Sequence, residues 1–173
     1  MGRTPNRRAD VIDTAASLFA ARGYGSVSLK DIAAQLGWTS AGIFYHFPRK
    51  ELILEAIVSP LVEAVDRLLT EHRGDPRGLL AAYVDVMVEN RLSVQVLMSD
   101  VAAVMTTDVG PRLRAQHAAM VAALARPSRS LEARVRASAA LAVARSVTGW
   151  TLEGHSPARL RQTMLDAAAR VMD

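Results

Sequence analysis

The chain has 173 residues, half of them apolar, with 21 basic against 17 acidic side chains and a net charge of +4. That length supports one sizeable core or a small domain beside a larger one, and the apolar share excludes disorder throughout. The absence of cysteine excludes a disulfide framework and a thiolate metal site, and the longest apolar runs are too short to span a bilayer, so the sequence reads as soluble and cytoplasmic with no membrane partner.

Charge is unevenly placed. Residues 1–50 hold seven basic and three acidic side chains, whereas the other 123 hold fourteen of each sign. All the net positive charge therefore falls on the first fifty residues, as expected of a segment that faces phosphates.

In chain order, residues 1–6 combine glycine, arginine and proline with little apolar content and read as a loose basic arm. Ile12, Ala15, Ala16 and Phe19 recur at helical spacing and predict a first helix that stops at Arg22-Gly23-Tyr24-Gly25. Ser28, three residues before Asp31, is a capping-box start with Asp in place of the usual Glu, and Leu29, Ile32, Ala33 and Leu36 give a second, short amphipathic helix. Gly37 stands where a helix stop needs φ > 0. Thr39 or Ser40 can then accept the first amides of a third helix, whose apolar residues are Ile43, Phe44 and Phe47. Two helices meeting across a tight turn have helix-turn-helix geometry, in which the second offers its outward residues to the major groove. Here these are Thr39, Ser40, Gly42, Tyr45 and His46.

A long helix starting at Pro48 carries Leu61, Val65, Leu68, Leu69 and His72 to a stop at Arg73-Gly74, with a kink or break expected near Ser59 because Pro60 lies inside it. Asp75-Pro76 starts the next helix, with Leu80, Tyr83, Val84 and Met87 on its apolar face. Val94, Leu97, Met98, Val101 and Met105 predict another, and Leu113, His117, Met120, Val121 and Leu124 one more. Residues 130–150 carry two rows of apolar or small residues, Leu131, Val135, Ala139 and Ala142 on one, Ala140, Val143, Val147 and Trp150 on the other. One row suits a core and the other a partner. Ser156-Pro157 caps a last helix with Leu160, Met164, Ala167, Ala168 and Val171 inward, and this closing pair, residues 130–172, is expected to form half of a four-helix homodimer interface.

Tyr83, Met87, Met98, Met105, His117, Met120 and Trp150 are the larger or adaptable side chains on these inward stripes, and they form the candidate pocket for a small molecule of unknown identity. His117 is expected to be an interior histidine. No P-loop, G-x-S-x-G or H-E-x-x-H motif occurs and the four histidines are widely spaced, so no catalytic residue, metal site or cofactor is expected. The competing reading is a helical adaptor whose helix-turn-helix binds no operator.

The stretch LFAARGYGSVSLKDIAAQLGWTSAGIFYHFPRKEL, within Val11 to Leu54, resembles the DNA-binding domain of TetR-type transcriptional repressors. The resemblance rests on Gly23-Tyr24, Asp31-Ile32-Ala33, Gly37, His46-Phe47 and Lys50-Glu51-Leu52 as a set. It implies an all-α homodimer with a three-helix DNA-binding domain over residues 1–50, including the basic arm, and a helical effector-binding and dimerisation domain over residues 51–173. It further implies a ligand-responsive repressor acting on a palindromic DNA operator. By the same resemblance Thr39, Ser40 and Gly42 occupy base-facing or close-approach positions, His46 and Lys50 occupy phosphate-contacting ones, and Ser28 caps its helix near a phosphate. Two positions depart from the pattern. Phe44 stands where tyrosine is usual, so either Tyr45 supplies that phosphate contact or it is lost; Trp38 replaces a smaller aliphatic and reads as packing under the turn.

Overall fold

The computed structural model describes residues 7–128, 130–146 and 154–172, and the regular structure among them is entirely helical. The helices are α1 (Arg7–Arg22), α2 (Leu29–Leu36), α3 (Ser40–His46), α4 (Lys50–Glu71), α5 (Pro76–Glu89), α6 (Arg91–Ser99), α7 (Val101–Met105), α8 (Gly110–Leu124), α9 (Leu131–Arg145) and α10 (Pro157–Met172). The expected basic arm and Trp150 lie outside the described residues. Two compact units share the chain. One comprises the residues up to Pro60 together with Gln95–Gly110, and the other Leu61–Val94 together with the residues from Pro111 onward. Because α4 runs across Pro60, it contributes to both.

In the first unit, α1 buries Val11, Ala15, Ala16, Leu18 and Phe19, a stripe turned slightly from the expected one, with Ile12 only half-buried. Phe19 meets Tyr24 edge-on at 5.1 Å between centroids. Val27, Ile32, Ala33, Ile43, Phe47, Ile53 and Leu54 complete this core, each at most 2% exposed, and burial of a large aliphatic or aromatic side chain contributes about 1.5–3 kcal/mol. Gln95 Nε2 donates to the Ala20 carbonyl at 3.3 Å, and the Asp108 amide to Glu55 Oε1 at 3.1 Å, tying the 95–110 segment to α1 and α4.

Two sequence expectations change here. The single helix expected over Val94–Met105 is two, because Asp100 Oδ1 accepts from the Ala103 amide at 2.9 Å and caps α7, while the Ser99 hydroxyl bonds back to the Val96 carbonyl at 2.8 Å. Both side chains offer the backbone a local alternative to helix continuation. Pro60 does not break its helix: α4 is continuous from Lys50 to Glu71, starting two residues after Pro48. Ile57, Val58, Leu61 and Val62, all buried, flank the proline and hold the helix by packing where its backbone bond is missing.

In the second unit, Asp75 caps α5 by accepting from the Gly78 amide at 2.9 Å with Pro76 in the first turn, and Leu79, Leu80, Tyr83, Val84 and Met87 point inward. Helix α10 packs on α9 and on α5. Ala137, Ala140 and Ala144 beside Leu141, facing Leu160, Met164 and Ala168, allow the close approach that small side chains give. A two-pronged Arg161–Asp85 ion pair, Nη2 to Oδ2 at 3.0 Å, pins α10 to α5. Gln116, 7% exposed, donates through Nε2 to the Val62 carbonyl and to Asp66 Oδ1, both at 2.7 Å, and Arg112 Nε reaches Asp66 Oδ2 at 2.7 Å. Helix α8 is thereby fastened to the second half of α4. No helix among the described residues is long and apolar enough to cross a membrane.

Candidate nucleic-acid interface

The geometry is built by local rules. Ser28 Oγ accepts from the Asp31 amide at 3.2 Å while Asp31 Oδ2 takes the Ser28 amide at 2.7 Å and its hydroxyl at 2.6 Å, closing a capping box at the head of α2. The Ser28 hydroxyl and amide bonds hold the Asp31 carboxyl below its ordinary value. Gly37 then adopts φ 67°, a left-handed stop that a side chain resists, and its amide returns to the Ala33 and Ala34 carbonyls. Two residues on, Thr39 starts α3: its Oγ1 accepts from the Gly42 amide at 3.3 Å. The cap is thus Thr39, with Ser40 the first helical residue.

Helix α3 presents one face inward and one outward. Ile43 and Phe47 are at most 1% exposed, whereas Thr39, Ala41, Phe44 and Tyr45 are exposed, Phe44 by 50% and Tyr45 by 84%. Phe44 therefore does not join Ile43 and Phe47 in the core as its apolarity suggested; it lies one position round the helix. Ser40, Gly42 and His46 are half-buried beside this outer face, and the His46 ring meets Tyr45 edge-on at 5.2 Å. A Cβ on Gly42 would meet Thr39 Oγ1 at an ordinary 3.7 Å. A Cβ there would therefore meet no clash inside the chain. Two arginines stack on the aromatic residues of this region, Arg7 over Trp38 at 5.6 Å and Arg8 over Phe47 at 4.7 Å. Trp38 is half-buried.

Lys50 departs from its expected outward role. Its Nζ donates to the Tyr24 and Val27 carbonyls, each at 2.9 Å, and lies 4.0 Å from the centre of the Tyr24 ring. The neighbouring Glu51 Oε1 accepts from the Tyr24 hydroxyl at 3.3 Å. Burial, then the Glu51 charge and hydrogen bond, push the Tyr24 phenol up to about 12, so it remains a donor across the physiological range. No sequence signal pointed to this cluster, since a lysine next to a helix-turn-helix is read first as a phosphate contact.

The expected effector residues divide. Tyr83, Met87 and Met120 are buried to within 5% in the second unit. The Tyr83 hydroxyl accepts from Arg145 Nη1 at 3.4 Å, and burial raises its pKa, opposed by Arg145. Met98 and Met105 belong to the first unit; Met98 is 45% exposed and Met105 is half-buried. His117 is exposed, contrary to the interior position expected, and Gln116 takes the buried place beside it. Desolvation and then the Arg145 charge still lower its pKa. An open groove of about 720 Å³ runs past Arg77, Leu80, Leu124, Arg126, Leu165 and Met172 in the same unit, away from the expected set. Among the described residues no group of acidic and histidine side chains has metal-binding geometry.

Residues 11–57, which hold all of α2 and α3, match the profile of bacterial regulatory proteins of the tetR family. This segment carries a tetR-type DNA-binding domain. Within the curated proteins, it is 34% identical over 86 residues to the HTH-type transcriptional repressor KstR2 of Mycobacterium tuberculosis, covering 50% of this chain and 36% of that protein. KstR2 of Rhodococcus jostii is 38% identical over 89 residues, 48% of this chain and 42% of the other. The matched stretch thus spans less than half the length of these repressors. Over the whole fold, a tetR-family regulatory protein from Rhodococcus RHA1 superposes with a TM-score of 0.76 at 21% identity, covering 98% of each chain. The TetR architecture, an N-terminal helix-turn-helix followed by a helical domain, therefore extends through the second unit.

Proposed function

We propose that this chain is a sequence-specific DNA-binding transcriptional regulator of the TetR family, a repressor that binds a near-palindromic operator as a homodimer and is released by a small molecule. The observation that carries the proposal is the outer face of α3. It is presented by a capped, glycine-stopped α2 in the segment that holds all the net positive charge, and it exposes short polar and aromatic side chains beside a glycine that the chain itself does not need. In this reading Thr39, Ser40 and Gly42 approach base edges, Tyr45 and His46 reach the backbone, and Ser28 lies near a phosphate with its hydroxyl already engaged in the cap. Residues 1–50 form the DNA-reading domain and residues 51–173 the effector and dimerisation domain. The protein works in the cytoplasm and has no catalytic role.

Dimerisation is assigned to residues 130–172. Leu131 at 77% exposure and Val135 at 58% lie with exposed Ala142 along one side of α9, an apolar row that a second copy covers, while Ala140 and Ala168 are internal. The effector is placed in the second unit beside Tyr83, Met87, Met120 and Arg145. A ligand lowers operator affinity only through its preference for a conformation with misplaced reading helices, and DNA must weaken ligand binding by the same factor. Since α4 has residues in both units, it is the element through which such a preference passes. The test is selection of duplexes from a random pool by the full chain. A consensus with inverted-repeat symmetry supports the proposal, and a pool that never converges refutes it.

A further inference from the structure

We propose that the first two residues of α4 form a latch on the turn between α1 and α2, and that Lys50 serves DNA binding by holding that turn rather than by touching a phosphate. The proposal rests on the DNA-reading function above and names how its reading helix is kept in place.

An ammonium has three donors and no acceptor. Two of those of Lys50 are taken by the Tyr24 and Val27 carbonyls at 2.9 Å, and the Tyr24 ring lies against the same nitrogen at 4.0 Å. Bonds of this charge-assisted kind are about twice as strong as neutral ones. Swinging the ammonium out to a phosphate would give up both of these bonds in a part-buried turn, taking the charged partner from the Val27 carbonyl and leaving the Tyr24 carbonyl with the Val27 amide at 3.3 Å, and unmade hydrogen bonds there are costly. Glu51, the next residue, adds a third grip through the Tyr24 hydroxyl at 3.3 Å. The turn so held ends at Val27, immediately before Ser28, the cap of α2, and α2 packs directly on α3. A shift of the first turn of α4 is therefore passed through the turn and the cap to the helix that faces the bases. Lys50 is a positioning residue in this scheme, and Tyr24 is the part it positions.

The two roles differ in what the loss of Lys50 does to salt dependence and to sequence preference. A phosphate contact contributes to every duplex alike, and its removal flattens the slope of log affinity against log salt by about 0.9. Misplacement of α3 harms only the complex that reads bases. The experiment measures binding of the native chain and of Lys50→Met to the selected duplex and to a random duplex of equal length, across a salt series. The latch predicts a tenfold or greater loss on the selected duplex, a change of no more than about twofold on the random one, and an unchanged slope. Equal losses on both duplexes with a flattened slope overturn it, as does an unaltered affinity for both. A fall in folded fraction lowers both affinities together and does not imitate the predicted result. Tyr24→Phe keeps the ring against Phe19 and deletes only the hydroxyl. It should show the same operator-only loss at a few-fold amplitude, and it decides alone if Lys50→Met does not fold. No loss of preference in that variant then overturns the latch. A native chain that selects no sequence refutes the DNA-reading function and the latch with it, whereas a native consensus combined with unselective losses in the variants refutes the latch only.

Discussion

Asp31 closes the capping box of α2 from a fully exposed position, and its charge is what the arrangement uses. Its carboxylate takes both the amide and the hydroxyl of Ser28, which lowers its pKa from the usual 3.8. A carboxyl depressed in the folded state stabilises fully above its unfolded value and loses that contribution as the pH falls through the lower, folded one. Protection of the amides in the first turn of α2, taken relative to their intrinsic exchange rate at each pH, should therefore fall in acid in the native chain. Asp31→Asn should show weak protection already at neutral pH and little further change on acidification; a native α2 whose protection ignores acid contradicts the box. Ser28→Ala removes the acceptor for the Asp31 amide and should lower unfolding stability by about 1 kcal/mol, read from a denaturant midpoint. A neutral substitution would show that water replaces the cap at no cost.

At the scale of whole elements, what was legible in the sequence was what is decided locally. The capping box at Ser28, the stop at Gly37, the start at Thr39 and the Asp75-Pro76 cap all depend on residues within four positions of each other, and all appear in the structure. Placement that depends on distant partners was not legible. An apolar stripe takes Phe44 as readily as Ile43, and only the packing of α3 on its neighbours turns one out and the other in. Gln116 is buried because Val62 and Asp66 on α4 receive its amide, a partnership 50 or more residues away that no periodicity records, and His117 is displaced outward as a result. Lys50 likewise carries no sequence mark of its two carbonyl partners. The two rows of α9 were legible as rows, though the sequence did not say which alanines lay inside. Leu131→Glu together with Val135→Glu should give a folded, helical monomer in sedimentation and circular dichroism. Ala140→Glu, at a position 0% exposed within one chain, buries an unpaired charge and should cost on the order of 3–5 kcal/mol and unfold the protein. A double variant that stays dimeric removes this face of α9 from the interface.

At the scale of the molecule, affinity and selectivity come from different parts. In the proposed reading the excess of basic side chains within residues 1–50 draws the chain to any duplex, whereas the outer face of α3 discriminates among duplexes. The proposed homodimer brings two such faces to successive major grooves about 34–36 Å apart, so that each base read in one half-site recurs by symmetry in the other. Ser40 is the first residue of α3, half-buried at the edge of this face, and Gln in its place introduces an amide able to pair with adenine. Sequencing the duplexes selected from one random pool by the native chain and by Ser40→Gln tests the account at its centre. The native pool should converge on an inverted repeat, and the variant pool on the same repeat altered at one symmetry-related position in each half-site. A native pool without a consensus, or a variant pool with the native consensus unchanged, would contradict the assignment of base reading to the start of α3.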